Sequence, residues 1–393
     1  MAETIPFPDW KARLQMGERG VKKNLTNLIH HLRGIPKLGR NLRFNELAHR
    51  IEWNGKSIED TDLIDIRLVI EAEGYQPNDK DIRGAVERVA RENPYNPVVD
   101  YLDGLKWDGE GRLGRWMTRL LGAPDTPFVR SIGPKVLVSA VARAMQPGCK
   151  VDTVLVLEGE QGIKKSSAIA ALFGDEYTAE SVSLFDQHNK MVMAMMGAWV
   201  VELAEFVAIA RSHHASVKGL ISMRQDKVVL PYAKLASTHP RRCIFFGTIN
   251  PDATGYLTDA TGNRRYWPVS VSKIDLAGIR RHRDQLWAEA AHRYREGERW
   301  WLEPDEEIEA QTVQSEREEE DAWVEPLGTK IQTESLAELT TDRALTLLGI
   351  PHERKDKKSQ MRAAAALKAL GFNRIKVRDA ADGGKPKWMW RRQ

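Results

Sequence analysis

The sequence predicts an α/β fold in which a parallel sheet is covered by helices on both faces. Continuous apolar segments that suit buried strands lie at residues 151–157, 198–203 and 241–249. Two further candidates are the alternating segment 177–184 and the segment 267–271. Helix-length segments separate these strands, which is the pattern of a parallel sheet buried on both sides. A mainly helical segment precedes this unit, and a basic segment with helix and hairpin signals follows it.

Length and composition indicate several globular domains. The chain has 393 residues, of which 42% are hydrophobic and 29% are charged, so it is too long for one ordinary core. It contains no run of roughly 18 apolar residues and no apolar leader after Met1, so we expect neither secretion nor membrane insertion. Cys149 and Cys243 are far apart and lack a C-x-x-C partner, which predicts a reducing compartment and no zinc site.

Charge is concentrated at the C-terminal end. Residues 351–393 hold 13 Lys and Arg against 4 Asp and Glu, a local charge of +9, although the whole chain carries only +4. The first 350 residues therefore sum to −5. A basic end on a mildly acidic body predicts a polyanionic partner.

The basic end also has a recognisable order of elements. Helix signals at 341–348 and 359–370 each stop at a glycine, and strand-like segments at 374–378 and 387–392 follow. Two helices and then a basic hairpin are typical of a winged helix. We therefore predict four parts, which are an N-terminal mainly helical domain (1–110), a central α/β domain (111–300), an acidic helical linker (301–335) and a basic winged-helix domain (336–393).

The central motif is the segment 154–167, VLVLEGEQGIKKSS, which reads as strand, glycine loop and helix start. Its candidate phosphate-binding residues are Gly159, Gly162, Lys164, Lys165, Ser166 and Ser167. Backbone N–H groups in such a loop can wrap phosphates at the positive end of a helix. The pattern G-x-x-x-x-G-K-[ST] of P-loop NTPases predicts that Lys165 contacts the β- and γ-phosphates of ATP and that Ser166 binds Mg²⁺. Lys164 replaces the usual glycine, and an ordinary glycine turn is the alternative.

Two acids follow the strand 198–203. Glu202 ends that strand and Glu205 lies three residues further on. Ligands bind at the carboxyl ends of parallel strands, and an acid there can bind the Mg²⁺ of ATP or orient the attacking water. The alternative is that both glutamates are ordinary residues at a helix N-terminus, where the dipole favours them. Because a glycine loop is predicted beside these acids, we predict that Glu202 and Glu205 are catalytic and that Glu202 binds the metal.

Polar and basic residues follow the next two strands. Asn250 ends the strand 241–249 and could position water near the γ-phosphate, unless it is simply a turn residue before Pro251. Arg264 and Arg265 lie just before the last strand. Arginines can stabilise the charge of phosphoryl transfer in cis or from a neighbouring subunit, and a basic surface loop is the alternative.

A hairpin insert is predicted between the acids and Asn250, at residues 226–242. Lys227, Tyr232 and Lys234 combine positive charge with an aromatic ring, the mixture that proteins use to bind single strands of nucleic acid. A plain surface hairpin is the alternative.

Together these segments resemble the virulence-associated protein E family of phages and prophages. The resemblance rests on GEQGIKKSS, AWVVELAEF, VKGLIS, LPYAK, IFFGTINPD and LTDATGNRRYWPV, and it extends to YLDGLKWDG and PGCKVD. It spans roughly residues 95–300. The family is related to superfamily 3 helicases of the AAA+ class, so the resemblance implies an AAA+-like P-loop core.

The resemblance also implies roles for individual residues. Lys165 corresponds to the phosphate-binding lysine, Ser166 to the Mg²⁺ ligand, and Glu202 and Glu205 to the strand-end acids. Asn250 corresponds to the sensor asparagine and either Arg264 or Arg265 to the arginine finger. The hairpin at 227–234 corresponds to the segment that lines the DNA channel. The chain departs from the family where Lys164 replaces a glycine, and its first hundred or so residues lack a recognisable primase site.

The implied function is an ATP-hydrolysing DNA helicase that uses Mg²⁺ and acts in phage or mobile-element replication in the cytoplasm of a bacterial host. A hexameric ring is expected, because an arginine finger serves the ATP of a neighbour. The expected partners are single-stranded DNA and, through the basic end, origin duplex DNA. One alternative is an ATP-dependent initiator or switch that binds DNA without unwinding it. A small-molecule kinase is another, and the sensor asparagine, the arginine pair and the basic end argue against it.

Overall fold

The computed structural model of the chain describes residues 9–180, 188–204, 206, 214–230, 235–250, 257, 262–317, 322–378 and 386–392. Within it the chain forms two compact units, Met1–Arg317 and Glu318–Gln393. Each unit has its own hydrophobic core. None of the described helices combines the length and apolar character needed to cross a membrane.

The N-terminal part of the first unit combines helices with a small sheet. After a 3-10 helix at Asp9–Arg13, its elements are β1 (Met16–Gly17), β2 (Gly20–Val21), α1 (Leu25–Gly34), α2 (Pro36–Gly39), β3 (Leu42–Asn45), β4 (Arg50–Trp53), β5 (Lys56–Ser57), α3 (Asp60–Ala72), α4 (Asp79–Ala90), β6 (Pro94–Tyr95) and α5 (Pro97–Gly104). Strands β5-β4-β3-β6 form a four-stranded sheet. The sequence predicted a mainly helical segment and missed this sheet, because strands of two to four residues are too short to show an alternating pattern.

The central part of the first unit follows in the predicted order. Its elements are α6 (Trp116–Leu121), α7 (Pro127–Met145), β7 (Val154–Glu158), α8 (Lys165–Phe173), β8 (Thr178–Ala179), α9 (His188–Met195), β9 (Val200–Leu203), α10 (His214–Ser222), β10 (Gln225–Val228), β11 (Ser237–Pro240), β12 (Ile244–Ile249), β13 (Tyr266–Ser270), α11 (Leu276–Arg295) and α12 (Pro304–Ser315). All five predicted strands of the main sheet are present.

The main sheet is five-stranded and parallel, with the order β13-β7-β12-β9-β8. Successive residues of β7 point into different cores. Leu155 and Leu157 pack with α7, α8 and α11, whereas Val154 and Val156 pack with α9 and α10 on the other face. The strands read as continuous apolar runs because both faces of the sheet are covered.

An aromatic cluster fixes α8 against the sheet. The rings of Phe173 and Trp199 are 5.2 Å apart, and those of Trp199 and Trp287 are 4.1 Å apart. The indole nitrogen of Trp287 donates to the carbonyl of Leu172 at 2.8 Å. Since α8 begins at the glycine loop, this packing holds the loop in place relative to the strand ends.

Helix α12 differs from the predicted linker. Ala310 is 3% exposed and belongs to the core of the first unit, and the side chain of Gln314 donates to the carbonyl of Tyr266 at 2.8 Å. Because this segment is strongly acidic, its composition does not show that these two residues face inward. The first half of the predicted linker is therefore packed on the main sheet, while the boundaries predicted near residues 110 and 300 remain predictions.

The second unit contains α13 (Val324–Thr333), β14 (Glu338–Leu339), α14 (Thr341–Leu347), α15 (Lys357–Ala369), β15 (Phe372–Arg378) and β16 (Pro386–Arg392). Its strands form an antiparallel sheet in the order β14-β16-β15. Thr340 and Asp356 cap α14 and α15 by accepting backbone hydrogen bonds. The two helices and the basic hairpin predicted here are confirmed.

Candidate active site

The polar residues of the site meet because three strands end at one edge of the main sheet. Strand β12 lies between β7 and β9 and runs parallel to both. The glycine loop leaves β7, Glu202 lies near the end of β9, and Asn250 follows β12. Residues far apart in sequence are thereby brought to the start of α8.

Backbone geometry explains the shape of the glycine loop. Gly162 has φ of +85°, and Lys164, which caps α8, has φ of 73° and ψ of 36°. A β-carbon on Gly159 would lie 2.5 Å from Ile163 Cδ1 and 2.6 Å from the carbonyl oxygen of Val271. Position 164 thus has the left-handed conformation that glycine adopts without strain, and here a lysine adopts it.

The loop and the strand ends surround a cavity of about 420 Å³. Its lining residues are Gln161, Gly162, Lys164, Lys165, Ser166, Ser167, Ala204, Thr248, Ile249 and Asn250. Most of the predicted phosphate-binding residues are in this list. The cavity therefore lies where the sequence pattern predicts the phosphates of a nucleotide.

Lys165 is almost buried, with an exposed fraction of 9%. Its ammonium donates to the carbonyls of Gly159 at 2.5 Å and Glu160 at 2.9 Å, and to Oδ1 of Asn250 at 3.2 Å. Burial lowers the pKa of Lys165, and the nearby charge of Glu202 opposes that shift. These contacts hold a positive charge at the wall of the cavity.

Glu202 is buried, at 1% exposed, and accepts two hydrogen bonds on the same oxygen. Ser166 Oγ donates to Oε1 at 2.7 Å, and Thr248 Oγ1 donates to it at 2.9 Å. The two predicted Mg²⁺ ligands, Ser166 and Glu202, are thus in direct contact. Thr248 and Asn250 are the polar residues at the end of the apolar strand IFFGTI, and the hydroxyl of Thr248 is the one that contacts Glu202.

The arginine pair lies at the opposite edge of the sheet. Arg264 and Arg265 belong to a 3-10 helix directly before β13, and Tyr266, the first residue of β13, pairs with Val154, the first residue of β7. A strand of five residues, at about 3.3 Å each, separates that end from the glycine loop by roughly 16 Å. The arginines instead line a separate cavity of about 500 Å³. The structure does not bring them to the cavity of their own chain.

The predicted hairpin insert is present as β10 and β11, which pair antiparallel. Lys227 is exposed on β10. Behind it, the guanidinium of Arg241 binds the carboxylate of Asp226 at 2.7 and 2.8 Å in a buried ion pair that anchors the base of the hairpin. Tyr232 and Lys234 lie outside the described residues, as does Glu205, so their predicted roles remain predictions.

The two cysteines of the chain lie in its hydrophobic cores. Cys149 and Cys243 are free and buried, and burial raises the pKa of both thiols. Among the described residues, no group of three or more His, Cys, Asp or Glu side chains could hold a metal ion.

Fold and site together define an α/β protein with a parallel five-stranded sheet, compatible with an NTPase-like core. The sequence profile of the family described as the virulence-associated protein E-like domain matches residues 102–319. That match covers more than half of the chain, and the chain belongs to this family.

Comparison with solved structures gives two similar chains, both described as the A form apo structure of the NrS-1 C-terminal region. The one given as residues 305–718 is 13% identical, covers 95% of this chain and 100% of its own, and superposes with a TM-score of 0.50. The other is 12% identical, covers 90% of this chain and 96% of its own, and has a TM-score of 0.45. At this identity the likeness concerns the fold. No curated protein matches the sequence.

Proposed function

We propose that this chain is an ATP-hydrolysing motor that acts on DNA in phage or mobile-element replication, as a superfamily 3-like helicase of the AAA+ class. The observation that carries the proposal is that Lys165, Ser166 and Asn250 line one cavity at the carboxyl edge of a parallel sheet, with Glu202 in contact with Ser166. Sheets of this kind bind ligands at that edge, and the helix N-terminus there favours phosphate.

The residues present fit MgATP. Bound ATP supplies the γ-phosphoryl group, and Mg²⁺ neutralises charge on the phosphate oxygens. Mg²⁺ is usually held by one or two carboxylates, water and substrate phosphates rather than by a protein cage, so Ser166 and Glu202 are a sufficient protein contribution. Lys165 would exchange its loop carbonyls for phosphate oxygens, which are stronger acceptors for an ammonium.

Glu202 is the residue that we assign to the attacking water. Both described hydrogen bonds to this carboxylate go to Oε1, from Ser166 and Thr248. Oε2 accepts no hydrogen bond within the described part of the chain, so it can accept a proton or orient water. We assign the other side of that water to Asn250, and its contact with the Lys165 ammonium supports this role.

The position of the arginine pair supports a ring. Arg264 and Arg265 lie across the sheet from the cavity of their own chain. An arginine finger can be supplied in trans, so we propose that a neighbouring subunit contributes one of them, in a homohexamer. Mixing Lys165→Ala subunits with Arg264→Ala, Arg265→Ala subunits should then restore part of the ATPase activity, because some interfaces regain both halves of the site.

The second unit is proposed to be a winged helix that binds DNA. A helix, a short strand, two helices and a hairpin in this order support that architecture. The charge of +9 over its residues 351–393 favours a polyanion. In this proposal the second unit docks duplex or origin DNA while the ring holds one strand through the hairpin β10–β11. An ATP-dependent initiator that binds DNA without unwinding it would use the same parts.

The test is ATP binding and hydrolysis by Lys165→Ala, with the exposed Lys273→Ala as a matched control. We expect the first variant to lose binding of a fluorescent ATP analogue and all DNA-stimulated phosphate release, and the second to retain both. Binding at wild-type affinity in Lys165→Ala would contradict the assignment of the loop. Displacement of a labelled strand by the wild type, dependent on ATP, separates a helicase from an initiator.

A further inference from the structure

The outer half of the hairpin β15–β16 carries an exposed tryptophan between two basic side chains. The guanidinium carbon of Arg374 is 4.5 Å from the centre of the Trp388 ring, and Nζ of Lys376 is 5.8 Å from it. Lys376 pairs directly with Trp388 across the strands, and Arg374 pairs with Trp390. Alternate residues of a strand share a face, so Arg374, Lys376 and Trp388 form one surface, here called the Trp388 face.

This face runs from the core of the second unit out into solvent. At its inner end Trp390 is 6% exposed and its indole nitrogen donates to Thr341 Oγ1 at 3.0 Å. Two residues away, Trp388 is 50% exposed. Trp390 is therefore part of the core of the second unit, whereas Trp388 is not.

Among the residues that the structure describes, the charges of the Trp388 face have no acidic partners. Other basic residues of the second unit are neutralised in the ion pairs Arg343–Glu334, Lys355–Asp342 and Arg391–Glu338. Within the described residues, neither Arg374 nor Lys376 has a carboxylate partner, and both contact the same ring. An exposed cation–π contact contributes only about 0.5–1 kcal/mol, and two cations on one ring repel each other. An anion would relieve that repulsion.

We propose that the Trp388 face binds single-stranded nucleic acid by stacking an unpaired base on Trp388, while Arg374 and Lys376 contact the adjacent phosphates. Aromatic platforms flanked by cations bind single strands in this way, because every base has a π-face. In a continuous duplex both faces of an internal base are covered by neighbouring pairs, so the occupant is a single strand or the open end of a junction. The inference rests on the proposed function only in taking DNA as the partner.

Binding of a fluorescent oligothymidine to the full chain, without nucleotide, tests this inference. Stacking on an aromatic side chain is worth about 1–3 kcal/mol per base, so Trp388→Ala should weaken binding by roughly five- to a hundred-fold. Trp388→Phe should retain most of the affinity. Trp301→Ala is the matched control, since Trp301 is 48% exposed and also lies beside an arginine, at 6.0 Å, and it should bind like the wild type.

A salt series tests the two cations. The double variant Arg374→Ala, Lys376→Ala should reduce the slope of log K against log salt by about 1.4, since each lost phosphate contact on a single strand removes about 0.7. Arg391→Ala removes the same kind of charge from the same hairpin, but from a residue already paired with Glu338, so its slope should be unchanged. Circular dichroism of each variant checks that the second unit remains folded.

Several outcomes would overturn the inference. In the affinity measurements, these are a wild type that does not bind oligothymidine and equal affinities for Trp388→Ala and Trp301→Ala. In the salt series, it is a slope change in Arg391→Ala as large as in the double variant. A binding defect of Trp388→Ala that is confined to a matched duplex would also overturn it. ATP hydrolysis in the absence of DNA is measured separately and should be unchanged in Trp388→Ala. A wild type that binds through Trp388 but never hydrolyses ATP would remove the proposed ATPase and leave this inference standing.

Discussion

Replacing Lys164 by glycine tests how the loop tolerates a side chain in a left-handed conformation. Lys164 has φ of 73° and ψ of 36°, a region that costs an L-residue about 1–2 kcal/mol. Glycine removes that strain but loses roughly 0.5–1 kcal/mol through the greater freedom of the unfolded chain. We therefore expect Lys164→Gly to stabilise the first unit by about 0–1.5 kcal/mol, which for a unit of this size raises Tm by no more than a few degrees.

Turnover should be equal or faster in Lys164→Gly, because the substitution removes an exposed side chain from the lining of the cavity. Lys164→Ala is the matched control, since it removes the same amine but keeps a β-carbon in the strained conformation. Thermal unfolding and steady-state ATP hydrolysis are measured for both variants. We expect only the glycine variant to gain stability.

Two results would refute this reasoning. A large loss of turnover in both variants would mean that the Lys164 amine is itself a phosphate ligand. A loss confined to Lys164→Gly would mean that the loop needs the restricted backbone that a side chain imposes. The first result would make the lysine itself functional, and the second would make any side chain at this position functional rather than merely tolerated.

Three further predictions concern the catalytic acid, the basic end and an acid-sensitive contact. Glu202→Gln should bind ATP but lose hydrolysis by about a hundredfold or more. The control Glu160→Gln, which changes an exposed residue of the loop, should hydrolyse ATP normally. Normal turnover in Glu202→Gln would remove the strand-end acid from the mechanism. Deleting residues 351–393 should leave basal ATPase intact, lower DNA affinity and reduce its salt slope by about 0.7–0.9 for each lost phosphate contact; an unchanged slope would leave this segment without a DNA role. Burial, and then His239, lower the pKa of His49 to about 4. His49 therefore stays neutral in the folded chain, whereas the unfolded chain takes up a proton at this residue below about pH 6.5. Urea unfolding should show the free energy of unfolding falling between about pH 6.5 and 4, and falling less steeply in His49→Asn. Identical pH profiles for the two proteins would contradict that assignment.

The order of the main elements could be predicted because it depends on local patterns. A strand buried on both faces must be apolar throughout, so the segments around Val154 and Phe245 are visible in the sequence. The glycine loop between β7 and α8 is visible for a similar reason, since its backbone needs residues such as Gly162, with φ of +85°. By contrast, the short strands of the N-terminal sheet leave no periodic signal, and the packing of α12 depends on two inward-facing residues in an acidic helix.

The residues of the site were predictable in kind but not in arrangement. Lys165, Ser166, Glu202 and Asn250 could be named because each follows or ends an apolar strand in the order that the family shares. Their contacts depend on strand order, and no local pattern records that β12 lies between β7 and β9. That insertion places Thr248 beside Glu202 and Asn250 beside Lys165.

The same strand order decided where the arginine pair lies. Chain order alone left open whether Arg264 and Arg265 reach the ATP of their own chain or that of a neighbour. Because β13 runs parallel to β7, residues that precede β13 must lie at the edge of the sheet away from the glycine loop. The sequence by itself thus determined which side chains of this protein are candidates for phosphate chemistry, since local sequence patterns indicate strands, turns and helix starts. Only the tertiary structure decided which of them meet, because long-range pairing sets the distances between residues remote in sequence.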